Sequence, residues 1–591
     1  MDQFRLAADF PPPSREQWRE LVAAVLVKAG RGDVSDPEAA LTRTTYDGLP
    51  IQPLYTAVDA PPAAPLPGAA PFTRGAREQA TSWDVRARYR DRDPARVNAA
   101  ILRDLEGGAT SLWLSVGRLG IGVDGLRRAL AGVYLDLAPV ALDAGEDTEA
   151  AAEELLALAE SPARLAGNLG ADPIGLQTRH ATPADLAQLA RLAARASSAP
   201  DLRVATVDAT IYHDAGASDA DELAIATSIG VAYLRALTDA GLSVQEALGQ
   251  IDFRFAVTAE QFTSIAKLRA ARRLWSRVAQ LSGGESAQRQ HAVTSAAMMT
   301  TRDPWVNMLR TTIACFSAAV AGAEIITVLP YDVAIGVSDE FARRIARNTS
   351  AILHDESSLS RVVDAGGGSW YIESLSEAMA QRAWTAFTAI EASGGALAAL
   401  TSGRIAEIAA ATRAARARDV ATRKTPITGV SEFALITEEK LTRPELPVDA
   451  DGSLPPHRWA EEFERLRDRA EASPTRPTIF LAALGSVAAH TARLGFATNL
   501  FQAGGLEPVV GTGDAAELAR EFASSGATVA CLCGSDADYA DAGADVAVAL
   551  GARHLWLAGK ADVAGVEGHI HVGCDAVETL TTVLDQAGVG A

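Results

Sequence analysis

TIFLAALGSVAAHTARLGFATNLFQAGG, residues Thr478–Gly505, opens with an apolar run, turns at Gly485-Ser486 and continues with helical spacing. A strand, a glycine turn and a helix in that order form one unit of an open parallel α/β sheet. The same rhythm repeats to the C-terminus, with strands predicted at Thr478–Leu484, Pro508–Val510, Thr528–Cys533, His554–Leu557 and Ile570–Val572. Five short parallel strands predict a flavodoxin-like domain over residues 477–591. In such sheets ligands bind outside the carboxyl ends of the strands, so the first turn is where a cofactor site is expected. His490 stands just beyond that turn.

Upstream, Pro474 and Pro477 mark a boundary. Before them lie a helix (Arg404–Asp419), a proline-bearing stretch (Thr425–Pro456) and a charged helix (His457–Glu471), read together as a helical linker over residues 396–476. From about residue 100 strands alternate with helices. The predicted strands are Thr110–Val116, Ala138–Asp143, Ala163–Gly167, Arg203–Thr210, Ile251–Phe255, His291–Ser295, Glu324–Leu329 and Ser360–Asp364. Helical patterns at Asp219–Ala240, Thr258–Leu281 and Asp303–Val320 separate several of them. Alternation implies parallel pairing, and eight βα units match a (β/α)8 TIM-like barrel, placed at residues 76–395.

The N-terminal 1–75 precede the first unit. Phe10-Pro-Pro-Pro-Ser14 reads as an extended entry. Ser14 and Gln17 then make a capping box for a helix carrying Trp18, Leu21, Val22, Val25 and Leu26 on one side, stopped at Gly30. Thr44–Asp59 and Pro61–Gly75 are proline-rich, yet Tyr46, Ile51, Leu54, Tyr55 and Phe72 are too apolar for a free linker. We expect a bound arm that makes subunit contacts. Its own barrel is the other surface it could cover.

A chain of 591 residues exceeds the ~250–300 that one core usually supports. No apolar run reaches the ~18–20 residues that span a bilayer, and Met1-Asp-Gln-Phe-Arg5 lacks the form of a secretory signal; a cytoplasmic location is expected. A net charge of −20 argues against nucleic acid, which rewards clustered cations. Cys315, Cys531, Cys533 and Cys574 are too sparse for a disulfide framework. The single spacer of Cys531-Leu-Cys533 fits no redox or zinc motif, so no metal site is predicted.

Several short stretches, in this order along the chain, resemble the methylmalonyl-CoA mutase family: Pro71-Phe-Thr-Arg-Gly75, Trp83-Asp-Val-Arg86, Tyr212-His213, Ala266-Lys-Leu-Arg-Ala-Ala-Arg-Arg-Leu-Trp275, Arg344-Ile-Ala-Arg-Asn-Thr349 with Glu356-Ser357, and Arg404-Ile-Ala-Glu407. The resemblance implies isomerisation of methylmalonyl-CoA and succinyl-CoA in propionate metabolism with adenosylcobalamin. In that family the barrel threads the CoA thioester, and a C-terminal domain of cobalamin-binding type covers its mouth. It also implies where this chain departs. Active members carry Asp-x-His-x-x-Gly at the first C-terminal turn, whose histidine ligates cobalt; around His490 the Asp position is Ala488 and the Gly position Arg493. The tyrosine that packs on substrate is replaced by Arg88, and the neighbouring Tyr89 falls on the other face of an extended chain. His213 matches the histidine that hydrogen-bonds the thioester carbonyl, but the following Asp214-Ala-Gly216 is two residues shorter. A polar run near the seventh strand is replaced by Ile325-Ile-Thr-Val-Leu-Pro330. The expectation is a non-catalytic small subunit of a heterodimeric mutase. Its large subunit would hold adenosylcobalamin and the acyl-CoA, His213 being the one candidate catalytic group and His490 no cobalt ligand. An active mutase with a different cobalt ligand, and a non-enzymatic partner of a cobalamin enzyme, are the alternatives.

Overall fold

The computed structural model describes residues 13–32, 34–62, 64–447 and 452–590; the predicted entry at Phe10–Pro12 and the leading Met1–Arg5 lie outside them. Helix α1 (Arg15–Lys28) starts where the capping box places it. Ser14 Oγ accepts from Gln17 N at 3.2 Å, and Gln17 Oε1 from Ser14 N at 3.0 Å. Gly30, at φ +74°, lets the chain leave the helix.

Eight parallel strands then close into a barrel in sequential order. They are β1 (Asp84–Tyr89), β2 (Ser111–Ser115), β3 (Val140–Asp143), β4 (Gly167–Ala171), β5 (Leu202–Asp208), β6 (Ile251–Val257), β7 (Arg289–Thr294) and β8 (Ile325–Thr327). Closure comes from β8 beside β1, with Ile325 opposite Asp84. Two expectations are corrected. The predicted strand Ala163–Gly167 begins only at Gly167, because Pro162–Arg164 forms a 3-10 turn. Ser360–Asp364 is no strand: Leu359–Arg361 is a 3-10 turn, and Asp364, at φ +53°, buries its carboxylate among arginines. The missing strand is Asp84–Tyr89. Its sequence DVRARY alternates, but with the polar residues Asp84, Arg86 and Arg88 at the inward positions and Val85, Ala87 and Tyr89 outward, so it shows no apolar run.

The ring helices include α2 (Asp219–Asp239), α3 (Gln261–Leu281), α4 (Asn307–Val320) and α5 (Glu340–Ala351). An outer layer of α6 (Trp370–Ala392), α7 (Gly395–Thr401) and α8 (Arg404–Ala421) follows. α6 packs on both α2 and α3, and α7 on α2, so α2 is buried along most of its length.

The linker helix α9 (Glu461–Glu471) is fixed to the barrel mouth. In the loop after β7, Thr301 N donates to Glu464 Oε1 at 2.6 Å, and Arg302 pairs with Glu438 (3.4 Å) and Glu471 (2.8 Å). The C-terminal sheet consists of β9 (Thr478–Ala483), β10 (Glu507–Thr512), β11 (Val529–Cys533), β12 (His554–Ala558) and β13 (Gly568–Ile570). It is parallel throughout, in the order β10-β9-β11-β12-β13. α9, α10 (Val487–Ala503) and α13 (Ala576–Gln586) cover one face, α11 (Ala515–Ser525) and α12 (Ala544–Leu550) the other, each over its own apolar cluster. Cys315, Cys531 and Cys533 are buried free thiols, and Cys574 is half-buried. Among the described residues no helix is long and apolar enough to cross a membrane.

Candidate functional site

Alternation along a strand puts Arg86 and Arg88 on the inner face of β1 and Tyr89 on the outer. Tyr89 Oη accordingly donates to Asp104 Oδ2 in the flanking helix at 2.9 Å. Inside, the Arg88 and Arg254 guanidiniums both lie against the Trp113 indole, each Cζ 3.9 Å from the ring centroid. Arg254 Nη1 pairs with Asp208 Oδ2 at 2.7 Å, and Arg88 Nη2 lies 3.5 Å from Asp143 Oδ2. Arg254 Nε also donates to His291 Nδ1 at 3.2 Å. A guanidinium has no acceptor to offer, so His291 is neutral and its Nε2–H donates to Thr327 Oγ1 at 2.7 Å. Burial, and then the positive field of Arg86 and Arg254, hold this imidazole well below its ordinary pKa. Burial and Arg90 lower Arg88 to about 9. Burial raises Asp143, but Arg179 and Arg88 outweigh it and leave its carboxyl at about 2. The barrel axis at this level is therefore filled by one tryptophan, two arginines and a histidine.

His213 sits in the short helix Thr210–Asp214 after β5 and is 2% exposed. Its Nε2 is 2.8 Å from Ser295 Oγ, and its Nδ1 3.3 Å from Glu222 Oε2. His213, Asp219 and Glu222 bring three ligand atoms within 4.8 Å of one another, a grouping that could hold a metal ion. A cation of the chain's own is already there. Lys267 Nζ pairs with Glu222, lies 3.1 Å from Asp219 Oδ1 and donates to Ala256 O at 2.9 Å. Burial lowers the Lys267 pKa, but Glu222 and Asp219 outweigh it, so the ammonium is retained.

In the C-terminal sheet the strand order reverses between β9 and β11, which opens a crevice at their carboxyl ends. Arg493, on the second turn of α10, crosses it. Its Nη1 donates to Gly534 O at 2.7 Å, its Nη2 pairs with Asp536 Oδ1 at 2.7 Å, and its Cζ lies 5.2 Å from the Tyr539 ring. Tyr539 Oη donates to Ala558 O at 2.7 Å, closing the next strand end. Asp538 fills the first turn: a Cβ on Gly485 would lie 2.3 Å from its Oδ1. His490 lies within α10, 7% exposed, with Nδ1 3.3 Å from Leu484 O. It is a buried position.

A sequence profile of methylmalonyl-CoA mutase matches residues 114–503. The methylmalonyl-CoA mutase small subunit of Streptomyces virginiae is 53% identical to this chain, over 100% of this chain and 99% of that one. The chain belongs to the methylmalonyl-CoA mutase family. The small subunit of Propionibacterium freudenreichii subsp. shermanii is 40% identical over 99% of this chain and 96% of its own. The methylmalonyl-CoA mutase large subunit of Streptomyces virginiae is 28% identical over 78% of this chain and 67% of its own.

The mutase family is generally cobalamin-dependent, and the residues at the C-terminal crevice do not fit that group. Arg493, Asp538 and Tyr539 occupy the strand ends, and the His490 ring is enclosed. The family motifs elsewhere are structural ties. Arg272 Nε donates to Phe72 O at 3.0 Å, and Asp364 accepts from Arg74 Nε at 2.8 Å and pairs with Arg269. Arg347 of α5 pairs with Asp104, which also receives the Tyr89 hydroxyl. Reading of the sequence brought out Arg88 and Arg493 but missed Trp113, Arg254, His291 and Tyr539. Each of these looks locally like an ordinary strand or helix residue; only barrel closure and the sheet order bring them together.

Proposed function

We propose that this chain is the small, non-catalytic subunit of a heterodimeric methylmalonyl-CoA mutase, an isomerase interconverting (R)-methylmalonyl-CoA and succinyl-CoA in the cytoplasm. A large subunit of the same family carries adenosylcobalamin and the acyl-CoA. The observation that carries the reading is the filled crevice: Arg493, Asp536 and Tyr539 satisfy one another and the strand-end carbonyls where a cofactor tail would enter, and Asp538, held by Ser535, fills the turn beside them. The strand order β10-β9-β11-β12-β13 supports a flavodoxin-like, cobalamin-type domain at residues 477–591 that has kept its fold and lost its ligand site, so His490 is not a cobalt ligand. The packed barrel axis at residues 76–395 supports the same conclusion for the thioester path. His213, held between Ser295 and the Glu222 carboxylate that Lys267 already pairs, serves packing and not catalysis. Residues 396–476 form the linker, and within residues 1–75 helix α1 contributes subunit contacts. The names of the relatives support the two-subunit assembly.

The test is to purify the chain alone and with its large subunit, then measure cobalamin per chain by absorbance and turnover by succinyl-CoA formation. The isolated chain is expected to hold no cobalamin and show no turnover, with one equivalent per heterodimer. Stoichiometric cobalamin in the isolated chain, with histidine on cobalt, would overturn the reading.

A further inference from the structure

A ring helix that is apolar on every side needs a cover. α2 carries no charge from Leu223 to Leu234, and this chain supplies its cover through α6 and α7. α4 is equally poor in charge: NMLRTTIACFSAAV holds only Arg310. That arginine turns back onto the chain, with Nη1 donating to Asn307 Oδ1 and Nη2 to Thr428 O, both at 2.7 Å. Among the described residues no outer layer covers the remaining side. Leu309 is 66% exposed and Ile313 41%, one turn apart, with Trp305 (46%) one turn earlier. Trp305 stacks on Tyr331 with centroids 4.8 Å apart, and Tyr331 meets Phe341 of α5 edge-on at 6.3 Å. The result is a rigid aromatic group continuous with an aliphatic stripe.

We propose that the face formed by Trp305, Leu309, Ile313 and Phe341 is the docking surface for the large subunit. This rests on the small-subunit reading above and names the surface it uses. Three features select that occupant. A cluster of aliphatic and preorganised aromatic side chains, with the Arg344 guanidinium 5.3 Å from the Phe341 ring centroid at its edge, has the composition of an interface centre, where a few large side chains carry most of the affinity. The chain's net charge of −20 sets two copies against each other at long range, which disfavours self-pairing. The relatives occur as small and large subunits, and the large-subunit relative matches 78% of this chain, so a partner of comparable size exists to cover a whole ring helix.

The test is a sedimentation-velocity titration of the purified chain with its large subunit, comparing wild type, Leu309→Arg/Ile313→Arg, and Val548→Arg, a control on the outside of α12 at 83% exposure. The double variant is expected to weaken binding at least about 100-fold. Its melting temperature should stay at the wild-type value, because both side chains already face water, and Val548→Arg should bind normally. Leu309→Gln/Ile313→Gln replaces the pair if the arginines lower the melting temperature. Equal affinity of wild type and the folded double variant would overturn the surface assignment while leaving the small-subunit reading intact. Failure of the wild-type chain to bind any large subunit would remove that reading itself. A wild-type homodimer that the substitutions dissolve would assign the face to a second copy and overturn the proposal.

Discussion

Asp214 and Asp143 both stand at the barrel mouth, and their environments push them in opposite directions. Burial raises the Asp214 carboxyl to about 6, with a smaller lowering by His213, and its Oδ1 has no hydrogen-bond partner. Between the unfolded value near 4 and the folded 6, the native state binds more protons than the unfolded one. Stability from this group therefore falls as pH rises through that window. Asp214→Asn removes the ionised form. It is expected to raise stability by about 1–2 kcal/mol at pH 8, a discounted figure because the side chain borders a cavity of about 310 Å³. The gain should shrink toward zero below about pH 4, as urea midpoints at pH ~8 and pH ~3.5 will show. Asp143, held at about 2 by Arg179 and Arg88, works with the opposite sign: its contribution is complete above about 4 and lost as pH falls toward 2. Lys267 gives a larger effect. Lys267→Met leaves buried Glu222 and half-buried Asp219 without their cation, and breaking a buried pair in this way costs about 3–5 kcal/mol. A denaturant midpoint unchanged from wild type would refute this.

The elements show where the sequence was legible and where it was not. Six of the eight barrel strands and the C-terminal strands were marked by apolar or β-branched runs, because parallel strands are buried on both faces; Gly167–Ala171 was touched only at its first residue. β1 was hidden for a physical reason: its inner face is arginine, stabilised by Trp113, Asp143 and Ser111 from later strands. Ser360–Asp364 misled for the complementary reason: its valines read as a strand, while Asp364 serves as an ion-pair anchor. Asp364→Asn is expected to cost about 3 kcal/mol, since Arg269 keeps only Glu373 at 2.7 Å, and to loosen Pro71–Gly75 with it. Hydrogen exchange localised to that stretch would show the coupling; uniform exchange across the barrel would refute it. Helix α10 was read as a regular helix, yet His490 faces inward and not to the surface. His490→Ala is accordingly expected to cost about 1–2 kcal/mol of stability while leaving turnover of the assembled mutase unchanged. A loss of turnover at full assembly would restore His490 as a ligand.

At the scale of the whole molecule, the N-terminal segment divides into two parts with different attachments. The arm belongs to this chain. Asp47 Oδ1 accepts from Ala220 N at 2.9 Å, Tyr46 Oη donates to Asp419 Oδ2 at 3.2 Å, and Tyr55 stacks on Tyr371 at 4.8 Å. Helix α1 does not belong in the same sense. Its predicted apolar stripe splits, with Leu26 buried while Leu21 is 69% and Val25 64% exposed. Its attachments are Leu26 and ion pairs such as Arg15 with Glu38, and exposed pairs contribute only ~0–1 kcal/mol. A 14-residue helix is marginal alone in water, so one with half its stripe uncovered gains from a second surface. Deleting residues 1–32 is therefore expected to move the melting temperature by no more than a few degrees, yet to weaken binding to the large subunit by about tenfold or more, the effect of ~1.4 kcal/mol or more. Deleting residues 1–60 also removes the contacts on α2, α6 and α8, and should destabilise the isolated barrel by several kcal/mol. Melting curves of the two truncated chains, with co-purification of each against intact large subunit, separate the two roles. If the shorter deletion melts as early as the longer one and still binds at full affinity, α1 serves its own barrel.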